Sequence, residues 1–593
     1  MRVTKSVLGL ALLCGFAASA AVVAQDVAST PPQIEQAVRG DRASGWLPQT
    51  RSEVLARNGM VATSQPLAAE AGLSILRQGG NAIDAAVAAA AVLNVVEPGS
   101  AGLGGDALAI VWLAKERKLV ALNAIGHSPA AATLKAYQAK GMTRMPLHGI
   151  YSATVPGALD GWDALLKRAG TMGFKEVLEP AIRIADEGFP VSERIRNDWI
   201  YGAKVMGNDP ESNRVYMPGG RIPDVYQIFR NPDLANTFRL IQKGGRDAFY
   251  KGPVAQAIVD RSHELGGFFE MSDFARSQVT WDTPISTSYR GYDVYEMPAP
   301  TQGMATLEML NIVEACAPKL GLDIAKAGPR SADYWHLMIE AKKLAYADLA
   351  FHIGDPAFSQ VPTQRLISKS YAESLCSRID MRHAAPIPPG GEAIGGTVYL
   401  TTADRWGNMV SFIYSVYDTF GAGITVPGYG FVLGDRGALF NLNPKSPNVV
   451  APNKRPFHTL LPGFLMKDGH PVMAFGLMGG GQQAQGHAQV MVNLLDFGAN
   501  VQSASDAARF THFQGRNKLA LESQLYDLVG EELKRRGHDV ESANGEDMGG
   551  YQAIRFRPEN AGDFPAGTGE GGPLNGIYEA GSDHRKDGEA VGW

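Results

Sequence analysis

The spacing of apolar residues predicts two helices near the start of the chain. Over residues 66–78 apolar side chains recur at helix-like spacing, and Gly79-Gly80-Asn81 ends the pattern. Residues 82–95 form a second helical segment that is rich in alanine, which allows close packing. The apolar run 107–112 is typical of a buried strand. Residues 160–380 then read as mostly helical, with a strand-like insert at 287–296.

The pattern changes near residue 385. A cluster of proline and glycine over 386–391 excludes a helix interior there. Strands bounded by turn residues follow, and two further helices come after them. Helical layers beside strand pairs predict a layered α/β domain. The predicted strands are 397–403, 409–416, 459–466 and 472–476, and the predicted helices lie near 486–495 and 525–536.

Composition narrows the class of protein. The 593 residues are 45% apolar and 19% charged with a formal net charge of −5, which is typical of a globular protein with a large core. No run of Lys or Arg is present, so no nucleic-acid partner is expected. The 12 His residues show no metal-ligand spacing, so no metal site is expected. No cofactor is implied either. These features favour a soluble enzyme.

The N-terminus has the features of a secretory signal. Residues 1–5 are basic, residues 6–24 are apolar and rich in Leu and Ala, and Ala-x-Ala-like sites end at Ala20 or Ala24. The prediction is a signal peptide over 1–24 and a periplasmic or secreted protein. A membrane anchor and a lipid anchor on Cys14 are the alternatives. The stretch is short for a span, and no later stretch is long and apolar enough to cross a bilayer.

Two cysteines remain after the signal, Cys316 and Cys376. Export permits a disulfide, but two cysteines are too few to form a disulfide framework. Neither cysteine has neighbours that are typical of a metal site. Two buried free thiols are therefore favoured over a bridge.

The candidate chemistry is centred on Thr397, which follows Gly395-Gly396 and begins a strand-like run. Threonine is a good strand former, so a structural role is the first interpretation. The two glycines permit strained backbone dihedrals in front of it.

Gly396-Thr397, followed by Asp404-Arg405-Trp406-Gly407-Asn408, resembles the processing site of gamma-glutamyltransferases. The resemblance covers almost the whole chain after the signal. Asp404 is interpreted as a turn residue. The other matching motifs stand in the family's order: Gly79-Gly80-Asn81-Ala82-Ile83-Asp84-Ala85-Ala86, Glu97-Pro98, Gly102-Leu103-Gly104-Gly105, Tyr289-Arg290-Gly291-Tyr292, Ala345-Tyr346-Ala347-Asp348, Gly354-Asp355-Pro356, Pro452-Asn453-Lys454-Arg455-Pro456, Met478-Gly479-Gly480 and Ser582-Asp583-His584-Arg585.

The resemblance implies a four-layer αββα fold and a self-cleaving N-terminal-nucleophile hydrolase. Thr397 would cut the chain after Gly396, and its freed α-amino group would then serve as the base for its own hydroxyl. Backbone N–H groups of Gly479 and Gly480 would hold the oxyanion, and Ser415 would support the nucleophile. The large subunit would be 25–396 and the small subunit 397–593. Their masses would be about 40 and about 21 kDa, scaled from 63.4 kDa for the chain.

The chain departs from the family at the positions that bind a glutamate donor. Ile125 stands at the position of the Arg that binds the donor carboxylate, and Leu439 at that of the Asp that binds its ammonium. An ammonium buried beside Leu costs several kcal/mol without a partner, so glutamate-type donors should bind poorly. Three further positions differ from the family: Tyr417 replaces an Asn, and His458 and Thr459 replace two serines.

Arg436 stands where the family has Gln. It is a candidate cation for a distal carboxylate such as that of a glutaryl group, as in the acylases of the family, and the alternative is a solvated loop residue. With Tyr417, His458 and Thr459 it makes up the predicted substrate-binding set.

Three functions stay open from the sequence. The leading one is an amide hydrolase and acyltransferase that acts on gamma-glutamyl or glutaryl-like amides and forms an acyl-enzyme on Thr397. The second is a true gamma-glutamyltranspeptidase of glutathione metabolism. The third is an exported binding or scaffold protein without catalysis. The expected partners are a small-molecule amide and the two subunits of one precursor.

Overall fold

The structure, a computed structural model, describes residues 49–386, 395–560 and 574–593. The predicted signal peptide and Cys14 lie outside the described residues. Within the described ranges, no helix combines the length and hydropathy needed to cross a bilayer.

Strands account for two large sheets and two small ones. They are β1 Val54–Ala56, β2 Met60–Thr63, β3 Asp106–Leu113, β4 Lys118–Ala124, β5 Phe189–Pro190, β6 Ile228–Phe229, β7 Thr280–Asp282, β8 Ile285–Tyr289, β9 Tyr292–Glu296, β10 Val398–Ala403, β11 Met409–Ser415, β12 Pro462–Lys467, β13 His470–Met478, β14 Phe510–Phe513, β15 Lys518–Glu522, β16 Asp539–Ala543, β17 Gly550–Pro558, β18 Gly576–Ser582 and β19 Glu589–Gly592.

Sheet I has the strand order β19-β2-β10-β11-β3-β4-β7, and sheet II has the order β1-β18-β17-β13-β12-β9-β8. Every pairing in both sheets is antiparallel. The central pair β10–β11 has Val398 opposite Tyr414 and Thr401 opposite Ser411. A three-stranded sheet β14-β15-β16 and a short pair β5-β6 lie outside these two.

Helices make up the remaining layers, and those before residue 386 are the more numerous. They are α1 Pro66–Arg77, α2 Ala82–Val96, α3 Leu134–Ala139, α4 Ala158–Ala169, α5 Phe174–Val177, α6 Glu179–Glu187, α7 Glu193–Met206, α8 Pro210–Tyr216, α9 Pro232–Tyr250, α10 Pro253–Glu264, α11 Met271–Ala275, α12 Gly303–Lys319, α13 Ile324–Ala327, α14 Ala332–His352, α15 Thr363–Leu366, α16 Lys369–Leu375, α17 Gln482–Leu495, α18 Val501–Asp506, α19 Ser523–Leu525 and α20 Glu531–Arg535.

The two large sheets face each other and carry helices on their outer sides. Along β3, Leu108 and Ile110 belong to one buried cluster, while Ala107 and Ala109 belong to the other, as the two-residue period of a strand requires. The first cluster also contains residues of sheet II, α12 and α14, and the second contains α1, α2 and α4. The predicted αββα layering is confirmed.

The start of α2 ties the outer helical layer to sheet I. Asn81 caps the helix by accepting hydrogen bonds from the N–H groups of Ile83 and Asp84, and Asp84 completes a capping box. The carboxylate of Asp404, in the turn between β10 and β11, accepts a hydrogen bond from Ala82 N at 2.9 Å. Asp404 also accepts from Asn408 N and Trp406 N, so it is a turn residue as predicted.

Cys316 and Cys376 form a disulfide, so the prediction of two free thiols is wrong. Cys316 lies near the end of α12, and Cys376 directly follows α16. These helices pack side by side and bring the two Cα atoms to 5.1 Å, inside the range that a disulfide spans. The separation of 60 residues along the chain gave no sign of this proximity.

Strands from both sides of position 397 share each large sheet. Sheet I combines β2, β3, β4 and β7 with β10, β11 and β19, and sheet II combines β1, β8 and β9 with β12, β13, β17 and β18. A cut before Thr397 would therefore leave two chains interleaved in one core.

Candidate active site

Thr397 directly precedes β10, in the middle of sheet I, and only 4% of its surface is exposed. Its hydroxyl Oγ1 donates a hydrogen bond to the carbonyl oxygen of Gly396 at 2.5 Å. The predicted nucleophile thus lies against the carbonyl group of the bond that it is expected to cut.

Ser415, at the end of β11, approaches the same carbonyl. Its hydroxyl donates to Gly396 O at 2.7 Å and accepts a hydrogen bond from Tyr417 N, also at 2.7 Å. Because the N–H of Tyr417 occupies an acceptor site of this hydroxyl, the hydroxyl proton is directed at Gly396. Two hydroxyl donors on one carbonyl oxygen polarise the C=O bond and favour attack on its carbon.

A strained turn after β11 holds this arrangement. Tyr417 has a φ of 86°, a left-handed conformation that is uncommon for a bulky residue. Its side chain packs against Gly395, where a Cβ would lie 2.8 Å from Tyr417 O and 2.9 Å from the ring. Glycine at 395 is therefore required for the segment before the predicted scissile bond to pass Tyr417.

Gly479 and Gly480 form a turn between β13 and α17, with φ values of 117° and 57°. A Cβ at Gly479 would lie 3.0 Å from Gly549 Cα, so this backbone is packed closely as well. On the same strand β13, Gly476 packs against the ring of Tyr399, two residues after Thr397. The turn lies at the end of a strand that contacts β10, and its role as oxyanion donor stays a prediction.

Arg436 is buried, with 1% of its surface exposed, so its interpretation as a solvated loop residue is wrong. Its Nη1 donates to Thr459 Oγ1 at 2.9 Å, and its guanidinium carbon lies 4.7 Å from the centre of the Tyr417 ring. Its Nε lies 3.9 Å from the carboxylate of Asp106. Within the described residues, Nε and Nη2 have no hydrogen-bond partner. Burial lowers the pKa of Arg436 to about 10, so the side chain stays charged at neutral pH.

His458 completes this network from the other side of Asp106. Its Nε2 lies 3.0 Å from Asp106 Oδ2, and its Nδ1 accepts a hydrogen bond from Leu460 N. Burial, together with the charge of Arg436, lowers the pKa of His458 to about 4, so the imidazole is neutral at pH 7. The neutral ring donates from Nε2 and accepts at Nδ1. The structure thus brings the predicted substrate-binding residues into one network.

A cavity of about 390 Å³ adjoins this network. Tyr417 forms part of its wall and also contacts Gly395 and Arg436, so the cavity and the scissile segment meet at this ring. Leu439 lines the cavity, and no lining residue is charged. Ile125 is buried outside the lining, and its carbonyl accepts a hydrogen bond from Arg455 Nε. The other lining residues are mostly apolar: Met145, Leu147, Leu349, Ala350, Ile353, Ala438, Phe440 and Phe457, with the polar Gln302, Tyr346, Asn441, Ser446 and Asn448 and the backbone of Gly481.

His148, Asp418 and Asp435 form a cluster that the sequence pattern did not reveal. His148 Nε2 lies 3.5 Å from Asp418 Oδ2, and its Nδ1 lies 3.6 Å from Asp435 Oδ2. Asp435 raises the pKa of His148, while burial raises the pKa of Asp435 to about 6. The two nitrogens of one ring face different carboxylates, which fits a protonated imidazole between two acids better than a metal site. Along the chain, Asp418 directly follows Tyr417, and Asp435 directly precedes Arg436.

A second group of possible metal ligands is His336, Glu340 and His538, which is buried. Lys343 Nζ donates to Glu340 Oε1 at 2.8 Å, and the two imidazoles bond to each other at 2.8 Å. Because these groups satisfy one another and a lysine supplies the positive charge, the cluster has no need of an ion.

Comparison with known proteins places the chain among self-processed amidases. The family model for gamma-glutamyltranspeptidase matches residues 68–593. The glutathione hydrolase-like YwrD proenzyme of Bacillus subtilis (strain 168) is 35% identical over 547 residues, covering 91% of this chain and 99% of that protein. The acylase ACY 1 proenzyme of Pseudomonas sp. (strain SE83) is 36% identical over 513 residues, covering 84% and 90%.

A solved structure gives the same result. The cephalosporin acylase from Bacillus halodurans superimposes with a TM-score of 0.84 at 38% identity, covering 94% of this chain and 99% of the acylase.

Proposed function

This chain belongs to the gamma-glutamyltranspeptidase family, and from that premise we propose that it is a self-cleaving amidohydrolase and acyltransferase with Thr397 as its nucleophile. The observation that carries the proposal is the pair of hydroxyls, from Thr397 and Ser415, that both donate to the carbonyl oxygen of Gly396.

Self-cleavage begins at that carbonyl. Thr397 Oγ1 bonds to the carbonyl carbon of Gly396, and the peptide nitrogen leaves with a proton as the α-amino group of Thr397. Ser415 holds the negative charge that develops on the oxygen. Water then hydrolyses the resulting ester, which leaves a carboxylate on Gly396 and restores the threonine hydroxyl. The products are a large subunit 25–396 and a small subunit 397–593.

Turnover repeats this chemistry on an external amide. A free α-amine is an effective base near neutral pH, and that of Thr397 takes the proton of its own hydroxyl as the hydroxyl attacks. Backbone N–H groups of Gly479 and Gly480 hold the oxyanion, and the amine of the substrate leaves. Water or a second amine then takes the acyl group from Thr397.

The preferred acyl group carries a distal carboxylate and no α-ammonium. Among the residues that the structure describes, none that lines the 390 Å³ cavity offers a carboxylate to pair with an ammonium, and Leu439 is part of the wall. The buried Arg436 has two nitrogens, Nε and Nη2, that find no hydrogen-bond partner in the described part of the chain. In the uncut chain Gly395 packs against Tyr417, whose ring covers this cation, and we propose that cleavage releases Gly395 so that the ring moves and uncovers it. The donor class is therefore glutaryl-like, and the gamma-glutamyl group is the second candidate because one of the relatives is named as glutathione hydrolase-like.

The same proposal includes export. Residues 1–24 have the composition of a signal peptide, so the mature enzyme begins at about residue 25 and acts in the periplasm or outside the cell.

The test is a denaturing gel with N-terminal sequencing of wild type, of Thr397→Ala, and of Thr419→Ala as a matched control. The hydroxyl of Thr419 is not one of the two donors to the Gly396 carbonyl. Wild type and Thr419→Ala should give fragments of about 40 and about 21 kDa, scaled from 63.4 kDa for the chain, the smaller beginning Thr-Val-Tyr-Leu. Thr397→Ala should stay uncut. A single full-length band in wild type would overturn the proposal and favour the scaffold function.

The processed protein should then hydrolyse glutaryl p-nitroanilide faster than gamma-glutamyl p-nitroanilide. A preference for the gamma-glutamyl donor would overturn the donor class while leaving the mechanism in place. The N-terminus of the large fragment reports whether residues 1–24 are removed.

A further inference from the structure

We infer that Tyr346 is a positioning residue that fixes the turn Gly479–Gly481 in the geometry needed for turnover. The inference rests on the proposed function, since it takes this turn as the site of the oxyanion. Nothing in the self-cleavage step requires Tyr346, because the Gly396 carbonyl is held by the hydroxyls of Thr397 and Ser415.

The hydroxyl of Tyr346 is inserted at the start of α17. It donates to Gly481 O and accepts a hydrogen bond from Gln485 N at 3.2 Å. In a regular helix the N–H of residue 485 bonds directly to the carbonyl four residues earlier, which is that of Gly481. Here the phenol joins these two groups, so α14 determines where the first turn of α17 begins.

The turn needs restraint by side chains of other elements, because its own glycine residues restrict the backbone conformation little. Gly479 and Gly480 both have positive φ, and glycine populates many backbone conformations. Gln302 holds one carbonyl, since its Nε2 donates to Gly480 O at 3.0 Å and to Thr459 O at 2.6 Å. Tyr346 holds the next carbonyl, that of Gly481. The two side chains together fix successive peptide planes beside the predicted oxyanion donors.

The Tyr346 ring is itself fixed. Lys342, one turn earlier on α14, places its Nζ 3.9 Å from the ring centre, and this ammonium also bonds to His512 Nδ1 and Gln514 Oε1. Burial raises the pKa of Tyr346 far above its usual value, so the hydroxyl keeps the proton that it donates to Gly481. A hydrogen bond from a ring that is itself held in place restrains the turn.

Tyr346 also lines the 390 Å³ cavity, and a cavity wall alone would affect substrate binding. The two roles differ in kinetics. Loss of a wall contact raises KM, whereas a displaced oxyanion donor lowers kcat, because the oxyanion exists only after the nucleophile has attacked.

The experiment compares Tyr346→Phe with Tyr371→Phe in the full chain. Tyr371 is a matched control, since its hydroxyl donates at 2.7 Å to Asp348 on the same helix α14. Gln302→Met serves as a second variant, because it removes the hydrogen bond to Gly480 from the other side. Each protein is assayed for the rate of self-cleavage, the melting temperature, and kcat and KM on glutaryl p-nitroanilide.

Tyr346→Phe should cut itself at the wild-type rate and then lose about 10- to 100-fold in kcat, with KM changed by less than about threefold. Gln302→Met should show the same division between kcat and KM, and Tyr371→Phe should match wild type. A kcat of Tyr346→Phe within about twofold of wild type, or an effect on KM alone, would overturn the inference. A wild type that cuts itself but turns over neither anilide would overturn the proposed function, and the inference with it.

Discussion

Removal of the Ser415 hydroxyl isolates the group that activates the scissile carbonyl. In Ser415→Ala the carbonyl oxygen of Gly396 keeps only the hydrogen bond from Thr397. That hydroxyl is consumed when it attacks the carbonyl carbon. No hydroxyl donor then faces the oxygen as its negative charge develops.

The size of the effect follows from the difference between the ground state and the transition state. A hydrogen bond to a neutral carbonyl contributes about 1 kcal/mol net, and one to an anion is about twice as strong. Only the part gained in the transition state changes the rate. Loss of a single oxyanion donor in acyl transfer costs about 2.7–4 kcal/mol. A value of about 2 kcal/mol lies between these bounds and corresponds to about 30-fold slower cleavage.

The assay follows the full-length band on denaturing gels after synthesis of the precursor at constant temperature. Ser415→Thr is the matched control, because it keeps a hydroxyl at the same position and should cut itself within a few-fold of wild type. Melting temperatures of the uncut proteins show whether Tyr417 N, which loses its acceptor in Ser415→Ala, disturbs the fold. Cleavage of Ser415→Ala at the wild-type rate would refute the assignment of Ser415 as the donor to the scissile carbonyl.

Three further predictions concern charge and covalent links. Arg436→Met should raise KM for a glutaryl anilide by about 10- to 100-fold, since a hydrogen bond to a charged group contributes about 1.5–3 kcal/mol. KM for an uncharged hexanoyl anilide should not change. Equal effects on both donors would contradict carboxylate binding by Arg436. His148 and Asp435 have raised pKa values in the folded state, so the stability that they contribute is complete at low pH. This stability should fall as the pH rises through the pKa of Asp435, which is about 6, and through the raised pKa of His148. Urea unfolding across this range should show the fall, and a free energy of unfolding that does not change with pH over this range would contradict it. Replacing both Cys316 and Cys376 by Ala opens a loop of 60 residues and should lower the free energy of unfolding by about 4 kcal/mol, and an unchanged denaturation midpoint would show that the bridge contributes nothing.

Elements specified by local signals could be predicted from the sequence. The alanine-rich segment predicted at 82–95 is the helix Ala82–Val96, because Asn81 and Asp84 form a capping box at its start and the small side chains let the helix be buried on every side. The strand predicted at 107–112 is Asp106–Leu113 for a similar reason, since both of its faces are buried. In each case the residues that decide the element are within the element.

Features that depend on distant neighbours were not predictable in this way. The helix predicted near 525–536 is interrupted by a π-helical turn at Tyr526–Gly530. Residues 526–529 contain no glycine or proline that would have predicted this interruption. The disulfide depends on two helices that are far apart in sequence. The cluster of His148 with Asp418 and Asp435 depends on a loop between α3 and α4 that reaches the turns around β11.

The departures from the family around the substrate cavity form one interdependent unit. Arg436 is buried, and a buried guanidinium costs several kcal/mol unless other groups compensate. Thr459 supplies a hydroxyl acceptor, Tyr417 a ring face, and Asp106 a negative charge. His458 donates a hydrogen bond to the same carboxylate oxygen of Asp106 that lies near Arg436. Returning Tyr417 to the family's Asn would remove the ring face and leave Arg436 less compensated. Loss of function by drift removes groups one at a time and leaves their partners without hydrogen bonds. Here the substituted residues bond to one another, while Nε and Nη2 of Arg436 have no hydrogen-bond partner among the described residues. That arrangement supports the proposal that the pocket takes a different, anionic acyl group.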